Sequence, residues 1–322
     1  MNEIMTKELL STLRLVLPTV FFAVLALILL SSRYYNYVRS TERKEKYVYV
    51  FYLVPLIVIL MMIYISIYAG IAKSLIPNIV LIIILVVVSL SLRARIVKCI
   101  KEEDASIEGI NYKICYTDVV NAWYHPKKRK IYVSNKLHEV LERDELKAIL
   151  LHEQGHAESK ILELLSVSTM FLWYWGLSLI FTVIYLIYSA NLFKIASVVT
   201  LILLIPPLTL IAIMASWISE HEADVKALEE TNVQTIASAL VKSYAYSALQ
   251  RYTKYIESVK FNDQAIVSKP EVSFKIVLWE LFKQGFLKAP LELFEFLKNP
   301  VYTTHPPLEL RLAKVLISRV RN

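Results

Sequence analysis

Hydrophobic residues in this chain are gathered into long blocks rather than dispersed. Leu15–Ser32, Tyr47–Ala72, Ser74–Leu92, Leu164–Phe193 and Ile195–Ser219 contain no Asp, Glu, Lys, Arg or His. A helix needs ~20 apolar residues to cross ~30 Å of hydrocarbon, and in lipid a lone block satisfies its own backbone only by becoming a helix. The pattern predicts a mainly α, multi-pass membrane protein with about five transmembrane helices. Three spans fall in residues 1–92 and a hairpin of two in 164–219, leaving the polar regions 93–163 and 220–322 to fold together. Leu15–Leu30 follows Lys7 and Arg14 as a secretory signal would, but the exit Leu30-Ser31-Ser32-Arg33 is a poor cleavage site, so the block is read as a retained helix.

The polar regions have another rhythm. Ile110–Tyr116 and Val119–Tyr124 alternate moderately, His125-Pro126-Lys127-Lys128-Arg129 reads as a turn, and Lys130–Ser134 reads as a strand. Together they predict a small antiparallel sheet or hairpin within an α+β domain. Helical periodicity resumes at Leu137 and strengthens after Asp144, a candidate N-cap. Ala227–Leu249 reads as a helix with a small-residue face, and Val272–Leu297 as amphipathic helices broken at Pro290. The stripe Val277, Trp279, Leu281, Phe282, Phe286, Leu287, Leu291, Phe294 and Phe296 suits a core better than a substrate groove or a surface lying on membrane.

Composition and charge narrow the picture. A mean hydropathy of +0.49 with 20% charged residues excludes a disordered chain. Five Gly and two Cys exclude a collagen-like repeat, a glycine-loop-rich nucleotide binder and a disulfide scaffold. The spacing of Cys99 and Cys115 suits neither a zinc knuckle nor a redox pair. Both are read as reduced packing residues. Arg33, Arg39, Arg43, Lys44 and Lys46 crowd the first loop, residues 93–160 hold thirteen more cations and 220–322 fourteen, while only Lys7, Arg14, Lys73 and Lys194 lie on the other side. The positive-inside rule then places the N-terminus outside and both polar regions in the cytoplasm. The net charge of +8 follows from this asymmetry and fits membrane lipid with an anionic inner leaflet, so no nucleic-acid partner is expected.

The chemistry is concentrated in His152-Glu153-Gln154-Gly155-His156. On a helix, residues four apart share a face, so both imidazoles reach one ion. Glu153, offset by one, reaches a water instead of the metal. Two His ligands, a polarised water and a carboxylate base are the parts of a zinc hydrolase. A catalytic zinc wants a third protein ligand, for which Glu220, Glu222, His221, His125, His138 and His305 are candidates. If the hairpin 164–219 returns the chain beside the zinc helix, Ser219-Glu220-His221-Glu222-Ala223-Asp224 arrives as its antiparallel neighbour. Glu220 and Asp224 share a face, one to ligate and one to orient a zinc-bound imidazole. Glu222 points about 200° away, so Glu220 is preferred. His125, His138 and His221 read as surface residues.

With these motifs the sequence resembles the HtpX-like and CAAX prenyl protease group of integral-membrane zinc metallopeptidases. His152-Glu153-Gln154-Gly155-His156, Glu220-His221-Glu222-Ala223-Asp224 and Thr304-His305-Pro306-Pro307-Leu308-Glu309-Leu310-Arg311 match its three motifs in order, over roughly residues 93–322. The resemblance implies that His152, His156 and Glu220 hold one Zn2+, that Glu153 is the general base, and that Asp224 supports a ligand from behind. It further implies that His305 with Arg311 supports the oxyanion. Asn121, Ala122 and Trp123 look like the family's substrate-side β-edge. An unfolded or membrane-associated polypeptide is then the expected substrate, with processing of prenyl peptides as the second reading. A zinc-holding scaffold without activity would have no use for Glu153. An intramembrane protease would not surround its zinc motif with Glu145, Lys147, Glu158 and Lys160.

Overall fold

The structure, a computed structural model, describes residues 2–40, 99–125, 128–158, 210, 213–214, 216–249, 273–288 and 305–318. Of the five apolar blocks, the first lies wholly within these residues. It forms the middle of α1 (Asn2–Arg39), in which Val16–Arg39 is long and apolar enough to cross a membrane. The blocks Tyr47–Ala72, Ser74–Leu92 and Leu164–Phe193, together with the Pro206-Pro207 step, lie outside the described residues. The fifth block is represented by helical residues 210, 213, 214 and 216–219. Along α1, Ala23, Ala26, Leu30, Tyr34 and Tyr37 recur every three or four residues and are buried, whereas Leu17, Phe21, Val24, Ile28 and Leu29 are exposed. The small alanines let neighbouring backbones come close, and the bulky residues are left to face outward.

Four strands follow: β1 (Glu102–Ile107), β2 (Ile110–Cys115), β3 (Ala122–His125) and β4 (Lys130–Ser134), in the order β1-β2-β4-β3. The sheet is mixed, not antiparallel as expected, because β2 pairs β4 in parallel while β1–β2 and β3–β4 are antiparallel. The excursion of β3 carries the chain across the end of the sheet before β4 returns beside β2. The strand β1 went unread because Glu102-Glu103-Asp104 looks like loop. Its turn is made by Glu108 (φ 48) and Gly109 (φ 86), and glycine tolerates that left-handed geometry without strain.

The hairpin also corrects the reading of the cysteines, since Cys99 and Cys115 are joined in a disulfide with Cα atoms 5.2 Å apart. Hydrogen bonds from Ile100 N to Tyr116 O (2.9 Å) and from Tyr116 N to Lys101 O (3.0 Å) extend the β1–β2 ladder and bring the two side chains together. Sequence spacing alone could not show that closure.

The helices α2 (Asn135–Val140) and α3 (Arg143–Glu158) come next. The first is capped by Ser134, whose Oγ accepts from Leu137 N. Helix α3 starts one residue before Asp144, which therefore lies in the first turn rather than at the cap. Glu145 Oε2 accepts from Glu142 N at 2.9 Å, the backward half of a capping box. The expected helix after residue 226 is two: α4, covering 216–230, and α5 (Val233–Leu249). The break follows from Asn232, whose Oδ1 caps the new helix by accepting from Thr235 N at 2.8 Å. Helix α6 (Phe274–Phe282) runs into a π-helical turn, Lys283–Lys288, and α7 (Leu308–Ser318) follows Pro306-Pro307.

Ile131 and Val133 from the sheet, Leu146, Ile149 and Leu150 from α3, Ala227 and Leu228 from α4, Ile236 and Leu240 from α5 and Val315 from α7 form one buried cluster. Helix α3 is thereby held between the sheet and α5, and its position is fixed by apolar burial worth ~1.5–3 kcal/mol per large side chain. Glu145 adds a polar tie, receiving Lys242 Nζ at 2.7 Å and Ser238 Oγ at 2.5 Å from α5. In α6, Val277 and Leu281 are core as expected, but Trp279 is 56% exposed and Leu287 is exposed as well. Leu291, Phe294 and Phe296 lie outside the described residues.

Candidate metal centre

His152, His156 and Glu220 come together from α3 and α4, with one donor atom from each within 4.8 Å of the others. The i, i+4 spacing on α3 turns both imidazoles to one side. His152 Nε2 and His156 Nε2 are 3.1 Å apart, and Glu220 lies 3.6 Å from the first and 3.3 Å from the second. Donors 2.0–2.1 Å from a tetrahedral ion are separated by about 3.4 Å, so this donor set has the dimensions of a zinc site.

The surrounding groups fix the tautomers and charges. His152 Nδ1 donates to Asp224 Oδ1 at 2.8 Å, which leaves Nε2 bare toward the cluster. His156 Nδ1 is 3.3 Å from Ser219 Oγ, a hydroxyl able to accept from it and so leave Nε2 for the cluster. Arg311 grips Asp224 with two bonds, Nε to Oδ2 at 2.8 Å and Nη2 to Oδ1 at 2.6 Å. Burial raises the Asp224 pKa, but the Arg311 charge and hydrogen bonds outweigh it and hold it at about 2. Burial likewise opposes ionisation of Glu220, and the charges of His305 and Arg311 keep its carboxyl well below the usual range. Glu220 Oε2 is buried and makes no well-aligned hydrogen bond among the described residues, although His305 Nδ1 is 3.0 Å and Arg311 Nη1 3.2 Å away. An ionised oxygen left in that state, beside the Nε2 atoms of two imidazoles, suits completion by a divalent cation. The residues present therefore fit zinc.

Glu153 is buried, and its Oε2 accepts from Tyr124 N at 2.9 Å. Tyr124 belongs to β3, at the edge of the sheet. Asn121 is exposed, Ala122 buried, and Trp123 stacks on Tyr132 at 5.6 Å. His305 is 54% exposed at the mouth of the cluster. The guanidinium of Arg311 lies on the carboxylates of Asp224 and Glu220.

Two expectations about exposure change. His221, read as a surface residue, is fully buried against α1, with Tyr34 Oη 2.6 Å from Nε2, and burial pushes its pKa down to about 3, so it is a neutral packing group. His138 is half-buried and bonded to Tyr112 Oη at 3.1 Å. Glu222 accepts from Tyr37 Oη at 2.7 Å, away from the cluster. Sequence reading missed Ser219, the Tyr124 amide and Gly155 as parts of the site. Of these only Gly155 carried a signal, a glycine inside a helix. A Cβ there would meet Ala223 Cα at 2.9 Å, so it marks where α3 and α4 touch.

Neither curated proteins nor solved structures give a match to this chain. The sequence profile of peptidase family M48 matches residues 88–317, which takes in the zinc-binding motif, the Glu220 segment and α7. The match spans most of the chain, and the chain therefore belongs to peptidase family M48, whose members are zinc-dependent metallopeptidases.

Proposed function

We propose that the protein is a membrane-embedded zinc metalloendopeptidase that hydrolyses unfolded or membrane-associated polypeptides at the cytoplasmic membrane surface, in an HtpX-like role in membrane-protein quality control. The observation that carries the reading is the convergence of His152, His156 and Glu220 beside a buried Glu153 that is tied to an edge strand.

When bound, zinc supplies a Lewis acid that polarises water and the scissile carbonyl. The residues do the rest. His152, His156 and Glu220 would hold the ion, and Asp224 keeps His152 in the tautomer that can bind it. Glu153 takes the proton from the attacking water and delivers it to the leaving amine. Tyr124 N–H fixes the base, so the strand that positions Glu153 is also the edge on which an extended substrate pairs. Asn121, Ala122 and Trp123 lie on that edge, and pairing of this kind selects unfolded over folded segments. His305, exposed at the mouth, donates to the oxyanion, while Arg311 acts through Asp224 and Glu220.

The Lys and Arg asymmetry supports the cytoplasmic side. A disulfide there is the pattern of intracellular hyperthermophile proteins, whereas reducing cytosols keep thiols free. A C-terminal epitope protected from external protease in intact cells is the expected result, and digestion would reverse the orientation.

The activity is tested by cleavage of a disordered model protein by detergent-purified, zinc-supplied enzyme beside Glu153→Gln with its metal content measured. Cutting by the wild type alone, with zinc in both, supports the mechanism. Zinc in both and cutting by neither indicates a narrow prenyl-peptide substrate or a scaffold. Equal cutting removes Glu153 as the base.

A further inference from the structure

Helix α6 has one buried face and one exposed apolar face. Val277, Leu281 and Gly285 recur at four-residue spacing and are buried, while Ile276, Trp279 and Leu287 on the other side are exposed. Two contacts give the depth at which this helix lies. At its start, Phe274 packs edge-on against Tyr35, near the polar end of α1. Eleven residues later, Gly285 meets the fifth apolar block, where an added Cβ would lie 2.6 Å from Leu210 Cδ2. Leu210 precedes Glu220 by ten residues, about 15 Å along a helix, and the Glu220 segment is level with Tyr34 through His221. Leu210 is therefore level with the middle of the apolar stretch of α1, near Val24.

We propose that α6 and its π-helical turn are inserted beside α1 into the bilayer, antiparallel to it, with Ile276, Trp279 and Leu287 facing lipid acyl chains. The inference rests on the reading of α1 as a membrane span. On α1, Phe21, Val24 and Ile28 are exposed in the same way. Trp279, half-way down, takes the level at which an indole is favoured, its ring apolar and its N–H near water. Of the charges, Lys275 is at the shallow end, Lys283 turns back one turn to Glu280 at 3.2 Å and is drawn toward the polar side, and Lys288 closes the π-helical turn beyond Gly285. Glycine at 285 lets the helix reach the fifth block, since any side chain there would have to displace Leu210.

The test is spin labelling of the full chain in lipid nanodiscs, with the native disulfide intact and the unsubstituted protein as the control for label uptake. A nitroxide is placed at Trp279→Cys, at Phe21→Cys on α1 and at Asp104→Cys on the exposed strand β1. Collision with oxygen, which partitions into lipid, is compared with collision with a polar nickel complex. The expected result is that 279 and 21 favour oxygen while 104 favours nickel. If 21 favours oxygen and 279 favours nickel, or is shielded from both, α6 lines a wet cavity or a protein contact and the inference is overturned with the span intact. If 21 favours nickel, the span reading fails and the inference with it.

Discussion

At Asp224 one carboxylate serves two partners, taking His152 Nδ1 on one oxygen and a fork of Arg311 donors on both. It is fully buried, yet it decides which nitrogen of His152 is bare. Asp224→Asn presents an amide that satisfies Arg311 poorly, and it weakens the hold on the imidazole. The expected outcome is a 10–100-fold loss of zinc affinity, read by competition with a chelator, with the fold retained by circular dichroism. Unchanged affinity would show that His152 is oriented by packing alone. At this scale the sequence exposed groups whose partners are four residues away on a helix, namely His152 with His156 and Glu220 with Asp224. It did not expose the Tyr124 amide or the grip of Arg311, because those depend on which surfaces meet after folding.

Between elements, the site is a contact between two helices. Gly155 sits on Ala223, with room for no Cβ, and the ligands are mounted on either side of that point. Gly155→Ala should gain up to ~1 kcal/mol in helix propensity but lose ~1–3 kcal/mol to overpacking, because the obstacle is backbone Cα and cannot rotate away. The helices must part, and Glu220 moves from the imidazoles. A lower melting temperature together with reduced zinc content is expected. A more stable protein with full zinc would mean the contact is slack. Elements were legible where side-chain pattern decided them, as in β4, whose bounds match the reading. They were not legible where a partner decided them. The strand β1 is acidic and exists through its pairing with β2, and α4 and α5 separate at a cap, Asn232, that a run of helix-forming residues conceals.

Across the whole molecule, polar contacts among the described residues tie the apolar N-terminal helix to the segments that carry the metal cluster. Tyr34 bonds His221, Tyr37 bonds Glu222, and Lys314 donates to the carbonyls of Tyr37 and Ser40 at 3.0 and 2.7 Å. The last of these closes the C-terminal end of α1 with a cation, where free carbonyls and the helix dipole favour one. Lys314 is buried, which lowers its pKa to about 8 against the opposing pull of Glu222. The folded protein thus holds this proton less tightly than the unfolded chain, and its stability rises as the pH climbs from about 8 to 10.5, by up to ~3 kcal/mol. Lys314→Met should flatten that rise in denaturation midpoints measured across the interval. Parallel profiles for both proteins would remove Lys314 as the titrating group. None of this docking was legible beforehand, since apolar periodicity shows that α1 is a helix but not which face meets which neighbour. The order of the parts along the chain has a further effect during synthesis. His152 and His156 leave the ribosome first, Glu220 follows only after the apolar stretch between them has been made, and Arg311 comes 159 positions after His152. A half-made chain therefore carries the two histidines without the Glu220 carboxylate beside them or the arginine that grips Asp224, and the cluster is assembled only after Arg311 has been made.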